Sequence, residues 1–153
     1  MTPEEKARQK IDQWFSDAGW KVVDRDEYEP TCTAVAIREG LLKGNLEADY
    51  FLFINGKAVG VLEAKREEID AFSDKVCNQA VLYARNVPKI YQTYQKPLPF
   101  IFTSNGKELY FCDFRKQDSC FNQIMTIPTP YELVKLLGIN DYFAGLPTLR
   151  KKG

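Results

Sequence analysis

The 153 residues contain no histidine. That absence removes His-based nucleophilic triads. It also removes the usual zinc sites, because the four cysteines (Cys32, Cys77, Cys112, Cys120) are scattered without Cys-x-x-Cys spacing. Thiols outside a disulfide framework point to a reducing compartment, so a cytoplasmic location is expected. No apolar stretch approaches the length of a membrane span and no signal-peptide pattern opens the chain, so no membrane partner is expected. There is no Gly-x-x-x-x-Gly-Lys-Ser/Thr phosphate loop to seat ATP. Net charge is missing as well: Lys plus Arg equals Asp plus Glu, 21 against 21, with a pI near 6.3. A domain that grips DNA unaided is usually basic, so neutrality argues either against nucleic acid or for delivery by a larger assembly. The ending Pro147-Thr-Leu-Arg-Lys-Lys-Gly153 reads as a truncation point and favours delivery.

What is present, 44% hydrophobic and 13% aromatic residues, suffices for one ordinary globular domain over 1–153. Thr2 as N-cap, Pro3 at the first helical position and Glu5 in a capping box predict a helix. It carries Ala7, Ile11, Trp14, Phe15 and Ala18 at helical spacing and closes at Gly19. An extended piece at Trp20–Val23, a loop over 24–34 and an edge strand at Val35–Glu39 follow. A central hairpin is predicted over roughly 47–54 and 57–66. Ser73 or Asp74 caps a helix that must end near Asn86 or Val87, since Pro88 disfavours helix in the residue before it. Lys89–Tyr94 reads as a short helical turn. Leu98–Thr103 and Glu108–Phe114 make a second hairpin, and Thr129-Pro130-Tyr131-Glu132 opens a short helix ending at Gly138. This order predicts an α/β fold of the α+β kind, a mixed sheet flanked by helices.

The central hairpin carries the most information. Asn55-Gly56 between two hydrophobic runs is a strong hairpin signal. Folding there returns Asp49 to the neighbourhood of Glu63 and Lys65, which share a face because side chains alternate along a strand. Charges in a strand that is apolar on both sides are costly unless they are paired or bind metal. Glu-x-Lys alone is weak, since Glu4-Glu5-Lys6 matches it too. Register supplies a sharper condition. A two-residue Asn55-Gly56 turn in a regular ladder pairs Ile54 with Lys57 and Asp49 with Leu62, which puts Asp49 on the face opposite Glu63. A common metal site therefore requires a three-residue loop of Ile54-Asn55-Gly56, which places Asp49 diagonal to Glu63, or a bulge elsewhere in either strand.

Asp49 followed by Glu63-x-Lys65 across a hairpin resembles the PD-(D/E)xK nuclease fold, with its restriction-endonuclease-like core. The longer run from Ala48-Asp49-Tyr50 to Gly60-Val61-Leu62-Glu63-Ala64-Lys65-Arg66 is similar to the N-terminal endonuclease domain of the type I restriction enzyme R subunit. Also shared with that family are Ala18-Gly19-Trp20, Val35–Glu39, Gln79-x-x-x-Tyr83, Thr103-Ser104-Asn105-Gly106 and Thr129-Pro130. The family's proline before the first carboxylate is replaced by Ala48. The resemblance implies that Asp49 and Glu63 hold one Mg²⁺ with the Ala64 carbonyl as a third protein ligand. Lys65 then positions or deprotonates the attacking water and offsets charge on the phosphate. Gln79 and Tyr83, sharing a helix face at i and i+4, orient DNA or a water. The plainer reading of Lys65 is a solvated strand-end lysine. For Gln79 and Tyr83 it is a packing face with Gln79 at the rim. Glu4 or Glu5 is a candidate helix-borne carboxylate, although the capping box already accounts for Glu5. Arg38 and Glu39 match the family pattern without assigned chemistry.

The expected function is therefore Mg²⁺-dependent, nonspecific cleavage of double-stranded DNA by one domain of a larger R subunit. ATP would be used by a motor region of the same subunit, outside this sequence. Site recognition and methylation would belong to the specificity and methyltransferase subunits. Two alternatives stand beside it: another DNA-repair or junction nuclease of this fold, or an inactive interaction module.

Overall fold

The computed structural model describes residues 1–29, 33–38 and 49–139. Its elements are α1 (Pro3–Asp17), β1 (Lys21–Asp24), a 3-10 turn (Arg25–Glu27), β2 (Ala34–Arg38), β3 (Tyr50–Ile54) and β4 (Lys57–Ala64). Then come α2 (Asp74–Arg85), β5 (Phe100–Ser104), β6 (Leu109–Asp113), β7 (Asn122–Ile124) and α3 (Pro130–Leu137). The caps follow from the sequence. Thr2 and Glu5 form the capping box of α1, Ser73 caps α2, and Thr129 with Glu132 caps α3. Gly138 closes α3 in the left-handed conformation at φ 73°.

Seven strands form one mixed sheet in the order β1-β2-β3-β4-β5-β6-β7. β1–β2 and β4–β5 are parallel and the remaining pairs antiparallel. The parallel β4–β5 pair needs a crossover, and α2 supplies it. One face of the sheet buries Tyr50, Leu52, Leu62, Phe100 and Phe102 against Ile11 and Phe15 of α1 and Leu133 and Val134 of α3. The other buries Phe51, Phe53, Val61 and Ile101 against Ala80, Tyr83 and Ala84 of α2. Every residue of β3 is buried, as expected for a strand covered on both sides.

One expectation fails. β2 is not an edge strand, because parallel pairing with β1 covers its free side. Lys89–Tyr94 holds no helix beyond one turn, the Tyr91 N–H donating to the Pro88 carbonyl at 3.0 Å. Its backbone groups are used on β4 instead: the Ala58 N–H donates to the Gln92 carbonyl at 2.8 Å and the Tyr94 N–H to the Ala58 carbonyl at 3.0 Å. The expected loop over 24–34 contains the 3-10 turn, and its residues 30–32 lie outside the described residues, as do Glu39 and Ala48.

The hairpin turn and the hairpin register part company. Asn55 (φ 52°) and Gly56 (φ 81°) both take left-handed conformations and make a two-residue turn, with Ile54 paired to Lys57 and Phe53 to Ala58. Of the two expected ways to correct the register, the three-residue loop is absent and the bulge is present. The ladder then slips: Leu52 pairs with Gly60, leaving Val59 as an extra residue on β4. From there Phe51 pairs with Val61 and Tyr50 with Leu62. A Cβ on Gly60 would lie 2.9 Å from the Phe100 carbonyl oxygen of β5. Gly60→Ala should therefore push β4 from β5 and lower stability by about 1–3 kcal/mol, read as a fall in melting temperature. An unchanged melting temperature would show that the strands part freely at this point.

Candidate active site

The Val59 bulge determines what meets at the far end of the hairpin. Continuing the Tyr50–Leu62 register by one residue places Asp49 opposite Glu63 on the face covered by α2. The bulge condition is met, and the carboxylates are directly opposed rather than diagonal. Asp49 Oδ2 accepts the Ala64 N–H at 2.8 Å. The N–H and C=O of one strand residue leave on the same side, so the Ala64 carbonyl also faces the β3 side. Glu63 is only 4% exposed, and its Oε2 lies 2.9 Å from Lys65 Nζ. Burial, then the negative charge of Asp49, pushes the Glu63 carboxyl up to about 8, with Lys65 offsetting part of the rise. The Asp49 charge acts on Glu63 directly, so the two carboxyl groups are neighbours.

α2 brings Gln79 and Tyr83 to the same cluster. Gln79 Nε2 donates to Tyr83 Oη at 3.1 Å, and Tyr83 is buried. Its phenol is shifted upward by burial first and by the Glu63 charge second, which puts it within electrostatic range of the carboxylate. The link between β4 and α2 is pinned from β5 and its turn. The Lys65 N–H donates to the Ser104 carbonyl at 2.8 Å and the Thr103 hydroxyl to the Ala71 carbonyl at 2.6 Å. The Asn105 amide donates to the Ile69 carbonyl at 2.9 Å. Thr103-Ser104-Asn105-Gly106 thus fixes the segment that carries Lys65 toward α2.

Asp49, Glu63, Ala64, Lys65, Gln79 and Tyr83 are therefore brought together. Of the other described candidates, Glu5 and Arg38 line the cavity beside Asp49 but are engaged elsewhere. Glu5 closes its capping box, its Oε1 accepting the Thr2 N–H at 3.1 Å, and Glu4 is exposed. Arg38 bridges Asp12 at 2.8 Å and Asp24 at 2.9 Å, which ties β2 to α1 and β1. Sequence reasoning missed Arg8, whose Nη2 is ion-paired with Asp49 Oδ1. It also missed the Tyr50 hydroxyl, which donates to Asp12 at 2.6 Å. The only prior signal was weak: Arg8 lies one helical turn from Glu5 and from Asp12. The pair with Asp49 spans 41 positions, beyond any periodicity argument. Among the described residues, Asp24, Asp26 and Glu27 form a separate acidic group. There Asp24 is engaged by Arg38, and Glu27 accepts the Asp24 N–H at 2.9 Å.

The donor set suits a hard divalent cation. Asp49 and Glu63 are neighbours at Ala64, and the more buried carboxylate has its charge disfavoured by its surroundings. An ion of charge +2 would relieve that directly, and a lysine stands beside it.

Comparison with known proteins bears on the fold and the family. No curated protein matches the sequence. Among solved structures, the chain resembles a fragment assigned to the HsdR subunit of a type I restriction enzyme from Vibrio vulnificus YJ016. The TM-score is 0.59 at 24% sequence identity, over 92% of this chain and 27% of that one. At that identity the likeness carries the fold, and this chain spans about a quarter of the other's length. A family model described as the type I restriction enzyme R protein N terminus matches residues 35–119, more than half of the sequence. The chain belongs to the family of type I restriction enzyme R protein N-terminal regions.

Proposed function

We propose that this chain is a single endonuclease domain that hydrolyses phosphodiester bonds of double-stranded DNA without sequence preference, using Mg²⁺. The observation that carries the reading is the bulge-shifted register, which turns Glu63 to the face that Asp49 approaches, with Lys65 2.9 Å from Glu63. Asp49, Glu63 and the Ala64 carbonyl would hold the cation. When bound, it would polarise the scissile phosphate and acidify the attacking water. Lys65 would orient that water and offset charge developing on the phosphate. Gln79, held by Tyr83, would fix the orientation of the water or of the DNA strand. The zero net charge supports a domain brought to DNA by a larger cytoplasmic assembly. That assembly would comprise an ATP-driven motor region of the same subunit and the specificity and methyltransferase subunits.

The test is Lys65→Ala in the assembled restriction complex. Cleavage should fall about 10²–10⁴-fold while ATP hydrolysis continues. Undiminished restriction would identify an inactive module. The cation is tested by calorimetry on the chain, where Asp49→Ala should abolish Mg²⁺ binding that the wild type retains.

The raised Glu63 carboxyl gives a pH dependence with a definite sign. A group whose proton affinity rises on folding adds stability below the ordinary carboxylate range, and that stability is lost as pH climbs through the raised value. The metal-free chain should therefore lose stability between about pH 5 and pH 8, by at most about 1.4 kcal/mol per pH unit. A cation competes with the same proton, so Mg²⁺ affinity should increase from about pH 6 to pH 8. Equal affinities at those two values would count against Glu63 as a ligand.

A further inference from the structure

α1 reaches the site from outside the residues matched by the family model, and it arrives in a fixed position. The Tyr50 hydroxyl donates to Asp12 at 2.6 Å and lies 3.3 Å from the Arg8 carbonyl. Gly106 of the β5–β6 turn sits so close to Ala7 that a Cβ there would lie 2.9 Å from the Ala7 Cα. Held at these points, the helix aims Arg8 at Asp49 Oδ1 while Asp49 Oδ2 takes the Ala64 N–H. A guanidinium thus rests on the carboxylate that, in the reading above, binds the cation. Beside it lies a cavity of about 330 Å³ lined by Arg8, Asp12, Asp24, Arg38, Asp49 and Tyr50. A released Arg8 side chain therefore has open space to enter, and the Asp12 and Asp24 carboxylates there to face.

We propose that Arg8 is the resident counter-cation of Asp49 and that a divalent ion must displace its guanidinium from Oδ1, so that α1 sets how readily the site loads. Arg8 is in these terms a positioning residue acting through Asp49. The proposal rests on the reading of Asp49 and Glu63 as cation ligands. The pair lies at the edge of solvent, with side-chain exposures of 33% for Arg8 and 13% for Asp49. Its loss should therefore change cation binding by a modest factor, about three- to tenfold.

The experiment is Mn²⁺ titration of the chain by calorimetry in wild type, Arg8→Gln, Arg38→Gln and Arg8→Gln/Asp49→Asn. Glutamine keeps the helix propensity of position 8. Arg8→Gln is expected to bind Mn²⁺ more tightly, and adding Asp49→Asn should abolish binding, because it removes a ligand. Arg38→Gln deletes a charge from the same cavity wall, but one paired with Asp12 and Asp24, so it should shift binding by less than about twofold. Equal or weaker binding by Arg8→Gln, or an equal gain from Arg38→Gln, overturns the Arg8 proposal and leaves the cation site standing. Absence of Mn²⁺ binding in every variant overturns the cation site itself. A second measurement needs no variant. The Arg8 Nε–H resonance of the wild type should move on Mg²⁺ addition, and a stationary signal under conditions where calorimetry shows Mg²⁺ bound overturns displacement.

Discussion

Val59 has no partner on β3, and that one extra residue decides which face of the sheet carries Glu63. Without it, strict alternation would send Glu63 toward α1 and leave Asp49 on the α2 side. With it, Val59 joins the core beneath α1, Ala58 and Val61 face α2, and every later residue of β4 changes sides. The turn alone cannot do this, because Asn55-Gly56 closes a regular two-residue hairpin. Gly60 follows the bulge where β5 approaches too closely for a side chain. The bulge, the glycine and the carboxylate pair are one construction.

That construction places charge where a folded chain ordinarily avoids it. Glu63 is buried beneath α2 and next to Asp49, so the metal-free site favours a bound proton. Lys65 and Arg8 each supply a positive charge, one to each carboxylate, from different elements. Neither supplies the doubly charged centre that both carboxylates could share. A sheet stiffened on both faces by packed helices cannot relax to separate the two groups. The geometry therefore keeps the two carboxyl groups together at a cost that a bound proton relieves.

Much of this was legible in residues 48–66, where the apolar runs, the Asn-Gly turn and the spacing of Asp49, Glu63 and Lys65 are all local. The need for an odd residue was legible too, because the face of each side chain follows from counting. Which residue bulges was not: nothing local marks Val59, and the approach of Phe100 on β5 to Gly60 is a tertiary contact. β2 was misread as an edge because its partner β1 is short and contains a single buried residue, Val23. β7 escaped notice because Asn122-Gln123-Ile124 has neither length nor alternation. Arg8 was invisible for the same reason in another form: tertiary docking, not helical period, pairs it with Asp49.

Gly106 ties these themes together mechanically. The turn that carries it presses on Ala7, and Ala7 adjoins Arg8. The same four-residue segment suspends the chain leading from Lys65 to α2 through Thr103 and Asn105. The turn thus works as a fulcrum with the helix on one arm and the lysine on the other. Any bulk added there would move both cationic partners of the carboxylates at once. Packing and chemistry at this position are a single variable.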